Sequence, residues 1–350
     1  MYFIAVSQLY NYDATADYVR AQAALLIPNG YKVKIITQQI FSKEIFDIEH
    51  PENINKSDID EKNDVLIIHF GIFDIYLEKL MNLPFKKKIL YFHNVTPHFH
   101  YISDLKYSNL LKESWLQLIS FLPKFDKLLA NSSFTIDQAL AHSYNINYIR
   151  NWSVLPPRIN SISKEYSPSK TNNKNYKQLV ILGRIVEHKN VENGIQIFKE
   201  LLNFDKDYKL IIIGKKYETD YFNYIKQLIE NCDQISLKSD ITYSERNQLL
   251  AESGATLNLS SHEGYALPVF ESIFHETLPF YGTSEWLISI LEIDALRIGV
   301  DKDYLYAAYK IDRTLSDKKK YSKYMEYLKL RVKNEEKLSD MKFQLNAIVN

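Results

Sequence analysis

The stretch His262-Glu263-Gly264-Tyr265-Ala266-Leu267-Pro268-Val269-Phe270-Glu271-Ser272 decides how this chain is read. An apolar run, Ala255–Leu259, leads into it and reads as a buried strand. Pro268 suits the first turn of a helix, where a missing N–H costs nothing. The reading is therefore strand, glycine-bearing loop, helix. Glu263 falls on the loop and Glu271, eight residues later, one turn into the helix. In a parallel α/β sheet both lie at the carboxyl ends of the strands, where such sheets bind ligands. Carboxylates there suit hydroxyl groups, and a helix N-terminus suits phosphate. The implied ligand is polyhydroxylated and phosphorylated. Spacing alone does not carry this, because most charged pairs are simply solvated.

Outward from this motif, strands and helices alternate along the chain. Tyr2–Val6, Lys32–Thr37, Val65–His69, Lys88–His93, Lys127–Ala130 and Ser153–Leu155 read as strands of a first half, short and apolar as in a buried parallel sheet. Thr15–Ile27 and Leu105–Phe121 read as helices, as does the segment that Ser132 or Ser133 caps. Residues 160–177 hold Ser, Lys and Asn with few apolar groups, which is linker composition. The pattern then restarts, with strands at Leu179–Leu182, Leu210–Ile213 and Ile235–Leu237 and helices at Val191–Leu202, Tyr221–Asn231 and Ser244–Ala251. This predicts an α/β fold of two doubly wound, Rossmann-like domains, residues 1–165 and 166–350, facing a central cleft. The charged terminal helices are candidates to cross back onto the first domain.

Two further segments carry chemistry. Residues 183–190, Gly-Arg-Ile-Val-Glu-His-Lys-Asn, follow a strand and precede a helix. Gly183 allows a tight turn, and Arg184 and Lys189 set two cations beside a helix N-terminus. A diphosphate leaving group needs that combination, because negative charge grows on it as its bond breaks; an exposed basic loop is the plainer alternative. Residues 91–101, Tyr-Phe-His-Asn-Val-Thr-Pro-His-Phe-His-Tyr, place His93 at a strand end. A strand-end histidine bonded to backbone groups is the alternative there. His98 and His100 have metal-pair spacing, but no cysteine accompanies them, and no metal site is expected.

Composition narrows the function classes. The chain has 43 Lys/Arg and 43 Asp/Glu, and residues 1–160 hold 16 of each. Neither half offers the basic surface that nucleic acid requires. The single cysteine, Cys232, fits a reducing cytoplasm. No apolar run approaches the roughly 18 residues that span a bilayer, and no basic leader precedes Tyr2–Val6. Lys86-Lys87-Lys88, with the apolar face Leu110, Leu111, Trp115, Leu118, Ile119 and Leu122, is a candidate for peripheral contact with the inner face of an anionic membrane. The competing expectation is that this stripe packs on the sheet.

Residues 262–272 resemble the Glu-x7-Glu motif of retaining glycosyltransferases of the family 4 type, the glycosyl transferases group 1. Residues 183–190 resemble the Gly-Arg…Lys-Gly/Asn element of the same enzymes, in the same order. His93-Asn94-Val95-Thr96-Pro97 resembles the His-Asn-Ile/Val-Thr-Pro signature of a bacterial subgroup. The resemblance covers most of residues 1–290. It implies a GT-B fold with an amino-terminal acceptor domain and a carboxy-terminal nucleotide-sugar domain. It implies retaining transfer, without metal or other cofactor, from a GDP- or UDP-sugar to a glycan or lipid-linked glycan in surface polysaccharide biosynthesis. His93, Arg184, Lys189 and Glu263 are the implied catalytic residues. Gly183, Arg184, Lys189, Gly264, Tyr265, Ala266, Leu267 and Glu271 are implied to bind the donor, with Glu271 on the ribose hydroxyls and Glu263 on the sugar. Base selectivity is expected near Lys215, Lys216 and Lys238–Ile241. The chain departs from the wider pattern after strand one, where Asp13 and Ala14 replace a Gly-Gly loop near the donor phosphates. The alternative is a non-catalytic relative of the same fold, a glycan-binding or partner subunit.

Overall fold

The computed structural model describes residues 1–10, 13–41, 45–101, 104–142, 152–157, 173–214, 220–239, 241–299, 302–338 and 340–349. The chain divides into two compact units, Met1–Arg158 with Lys337–Asn350, and Ile159–Glu336. The expected boundary at 165/166 lies outside the described residues, as do Lys215 and Lys216.

The first unit is a seven-stranded parallel sheet in the order β3-β2-β1-β4-β5-β6-β7. Its strands are β1 Tyr2–Tyr10, β2 Val33–Phe41, β3 Ile48–Glu49, β4 Val65–Phe70, β5 Lys87–Phe92, β6 Lys127–Ala130 and β7 Trp152–Val154. All six residues of β4 are buried, as a strand covered on both faces requires. Strand β1 runs four residues past the apolar stretch that marks it in sequence, because its backbone ladder to β2 continues through Tyr10, whose ring stacks on Phe41 with centroids 4.3 Å apart. The first helix, Ala14–Leu26, starts where the Asp13 carboxylate accepts the Ala16 N–H at 3.0 Å.

The helix Leu105–Phe121 forms where its periodicity predicts. Leu111, Trp115, Leu118 and Leu122 are buried, and Trp115 meets Phe92 of β5 and stacks on His142. Lys88 donates to the Met81 carbonyl. The apolar face that was a candidate for a bilayer packs inward, as the competing expectation had it. Among the described residues no helix is long and apolar enough to cross a membrane. The last helix, Met341–Val349, belongs to this first unit. Gln344 accepts from the Tyr18 hydroxyl at 3.1 Å and donates to Pro156 O at 2.7 Å, and Ile348 joins the core.

The second unit is a five-stranded parallel sheet in the order β10-β9-β8-β11-β12. Its strands are β8 Asn175–Leu182, β9 Lys209–Ile213, β10 Ile235–Lys238, β11 Ser253–Asn258 and β12 Leu278–Tyr281. Strand order reverses between β8 and β11. That reversal opens a crevice at the carboxyl ends of the strands, the general ligand site of open α/β sheets.

Candidate active site

Both motif segments of the second unit lie at this reversal. Gly183 follows β8 with φ of 143°, a conformation side chains resist, and its N–H donates to Ile213 O at 3.0 Å. A Cβ on Gly214, after β9, would lie 2.4 Å from the Gly183 carbonyl, so these two loops meet backbone to backbone. Asn190 is left-handed, with φ of 50°, at the start of the helix Val191–Leu201; asparagine tolerates that region better than most residues. Its side-chain amide donates to Leu259 O at 2.9 Å, and the Ser261 N–H donates to His188 O at 2.9 Å. Lys189 Nζ reaches Glu263 Oε1 at 2.6 Å, across 74 residues of sequence. Three contacts thus stitch the basic loop to the acidic one. Gly183, Arg184, Lys189 and Glu263 line one pocket, with Arg184 exposed at its rim.

The Lys189–Glu263 pair is largely withdrawn from water, its side chains 16% and 12% exposed. Burial alone pushes the Glu263 carboxyl up. The Lys189 ammonium, its hydrogen bond and that of Ser260 outweigh this and hold it below the ordinary carboxylate range. A buried ion pair is weak support for stability, since desolvation offsets most of the attraction. Its placement at the crevice is what gives it meaning: the lysine can exchange its carboxylate partner for an incoming phosphate.

Glu271 lies on the helix Leu267–Phe274, whose N-cap Ala266 is left-handed with φ of 61°. The Trp286 indole N–H donates to Tyr265 O at 3.0 Å, and the Tyr265 ring stacks on Phe270 at 4.6 Å. The side chains of Tyr265 and Ala266 are therefore buried. Burial of these side chains leaves the expectation of donor binding at Gly264, Tyr265, Ala266 and Leu267 to the backbone of this loop. Glu271 is 6% exposed and accepts from Arg246 Nη2 at 3.0 Å. Nothing in the sequence reading singled out Arg246; only its place on the helix Tyr243–Glu252, one strand before the motif, could have signalled it.

In the first unit His93 follows β5, and its backbone N–H donates to Phe70 O at 2.8 Å. Its Nε2 lies 2.8 Å from His69 Nδ1, and His69 Nε2 lies 2.9 Å from Gln22 Oε1. The rings of Tyr18 and Tyr91 pack around the pair. Burial drives the His93 pKa down to about 3, and burial followed by the His93 neighbour takes His69 well below its usual value. Both imidazoles are neutral at pH 7. Neither His69 as the partner of His93 nor Gln22 as the partner of His69 was legible in the sequence. Asp13, expected near donor phosphates, is engaged as the cap of the helix that Ala14 begins. Among the described residues no cluster of three or more metal-ligating side chains occurs.

Comparison with known proteins bears on this geometry. Residues 163–331 match the family model of glycosyl transferases group 1. That stretch is similar to a glycosyltransferase domain. It contains the paired loops and Glu271, and the chain is accordingly a transferase. No curated protein matches the chain in sequence. Among solved structures, the chain is similar to WaaG, a glycosyltransferase involved in lipopolysaccharide biosynthesis, with a TM-score of 0.69, 11% identity and all of both chains covered. It is similar to sucrose-phosphate synthase from Thermosynechococcus elongatus, with a TM-score of 0.71 and 11% identity over 99% of this chain and 98% of that one. It is also similar to Anabaena HepE in complex with UDP and glucose, with a TM-score of 0.71 and 10% identity over 99% and 98%. Identities this low speak to the fold. Two parallel α/β sheets with their helices make the GT-B fold.

Proposed function

We propose that the protein is a retaining, metal-independent glycosyltransferase of the family 4 type, moving a sugar from a nucleotide-sugar to a glycan or lipid-linked glycan. The observation that carries this reading is the Lys189–Glu263 contact at 2.6 Å at the strand-order reversal. It places a cation and a hydroxyl-binding carboxylate side by side, as a sugar diphosphate requires. In this reading Lys189 and Arg184 meet the diphosphate and offset the charge that grows on it, where other enzymes use a metal. Released from Lys189, Glu263 accepts from hydroxyls of the transferred sugar, and Glu271 from the ribose hydroxyls. Neutral His93 offers a hydrogen bond to the sugar rather than a charge. No carboxylate is assigned as a covalent nucleophile, so front-face displacement is the route proposed.

A UDP-sugar donor is favoured over a GDP-sugar by the structural similarity to a UDP complex, and surface polysaccharide biosynthesis by that to WaaG. The site of action proposed is the bacterial cytoplasm. The test is turnover of UDP-glucose and GDP-mannose at high enzyme concentration without acceptor, followed by the anomeric configuration of the product by NMR. Release of UDP or GDP with retained configuration is expected. No release from any sugar nucleotide, or an inverted product, overturns the reading.

A further inference from the structure

We propose that Arg246 is a positioning residue for ribose recognition, whose guanidinium occupies Oε1 of Glu271 and so reserves Oε2 for a vicinal diol. This rests on the assignment of Glu271 to the ribose hydroxyls and names what holds that carboxylate in place. Four observations carry it. Arg246 Nη2 donates to Glu271 Oε1 at 3.0 Å, and among the described residues the Glu271 carboxylate has no other hydrogen bond. The guanidinium is itself fixed: Nε and Nη2 lie 3.4 and 3.3 Å from Asn247 Oδ1, and its carbon lies 4.7 Å from the centre of the Tyr243 ring. Tyr243, Arg246 and Asn247 stand on one helix at spacings of three and four, so they share a face. Both charged side chains are largely buried, 16% and 7% exposed, so neither is held by solvent.

A lysine could supply the charge but not this geometry. The planar fork bonds two acceptors at once and lies against an aromatic ring, which a point charge on a flexible stem does not do. Removing the arginine would leave Glu271 buried without its countercharge and free to rotate. Among the described residues no other cation pairs with Glu271, and His275, buried nearby with both ring nitrogens unpartnered among the described residues, is held neutral, with a pKa of about 4. Burial is the larger cause of that depression, with the charges of Arg246 and Lys174 adding to it.

The experiment is calorimetric titration of UDP and GDP, and of their 2′,3′-dideoxy counterparts, into the full-length wild type and the Arg246→Met, Arg246→Lys and Glu271→Gln variants. The wild type should prefer the ribonucleotide about tenfold or more, the size of a hydrogen bond to a charged group. Arg246→Met and Glu271→Gln should both bring that preference towards unity, while affinity for the dideoxy ligand stays within about threefold of wild type. Arg246→Lys should fall between, and carries the test if thermal unfolding shows the methionine variant to be misfolded. A merely structural arginine would weaken both ligands equally or leave the preference intact, and either result overturns the inference. A wild type without ribose preference instead overturns the Glu271 assignment itself, and the inference with it; that arm needs no variant.

Discussion

The strand-order reversals of the two units share one topology and carry opposite chemistry. In the second unit the loops after β8 and β11 bring Lys189 and Glu263 together, and Glu271 and Arg246 pair close behind them. In the first unit the corresponding end of the sheet presents two neutral imidazoles, a glutamine and tyrosine rings. A parallel sheet provides a crevice, but it does not decide what enters it. Charge paired inside the crevice suits a ligand that brings charge of its own, because each internal partner can be exchanged for a ligand group without leaving a buried charge alone. Neutral, hydrogen-bonded rings suit a ligand with hydroxyls and little charge.

The sharpest way to break this contrast is to remove the cation. Lys189→Ala should lower kcat by about 10²–10³, the usual loss when one preorganised electrostatic group is removed. It should weaken nucleotide binding far less, because the charge it meets is largest in the transition state. Steady-state kinetics on the sugar nucleotide, beside a UDP titration, separates the two effects; equal losses in affinity and turnover would make Lys189 an ordinary ground-state ligand.

A smaller loss tests the second carboxylate. Glu271→Ala should weaken UDP or GDP binding by about 1.5–3 kcal/mol. Calorimetry reads this directly, and an unchanged affinity would remove Glu271 from the donor site.

The neutral character of the first unit has its own signature in pH. His93 has a folded pKa of about 3 against an ordinary 6.5. Between those values the unfolded chain binds more protons than the folded one, so this group's contribution is complete above pH 6.5 and is lost as pH falls towards 3. The melting temperature should fall through that window, and the fall should be shallower in a His93→Gln variant. An imidazole resonance of His93 that titrates near 6.5 by NMR would contradict the contrast outright. The smallest expected effect is none at all: EDTA should leave turnover unchanged, and activity restored only by Mg²⁺ or Mn²⁺ would show that Lys189 and Arg184 do not suffice as counter-charge.

Much of this was legible before any coordinates. The apolar runs located most strands of both sheets, because buried parallel strands have no polar face to disguise them; the two-residue β3, Ile48–Glu49, gave no such run. The glycine and proline around Glu263 and Glu271 marked strand, loop and helix because each imposes a backbone constraint visible in sequence. Partnership was not legible. Neither the pairing of Arg246 with Glu271 nor that of His69 with His93 leaves a local signal, since each joins residues 25 or 24 apart through packing. The inward turn of Trp115 was open to either reading, because an apolar helical stripe looks the same whether a sheet or a lipid covers it.

The helix Met341–Val349 has a consequence for how the protein comes into being. Gln344 and Ile348 complete the core around Tyr18 and Leu26, yet they are synthesised only after residues 159–336. Chains emerge amino-terminus first, at about 5–20 residues per second, and domains generally fold as units. The first unit therefore stays open along one side while the whole second unit is being made, for roughly ten to forty seconds at that pace. During that interval Tyr18 and its apolar neighbours lack their native cover, and a chaperone that binds exposed apolar segments would find its target at the beginning of the chain.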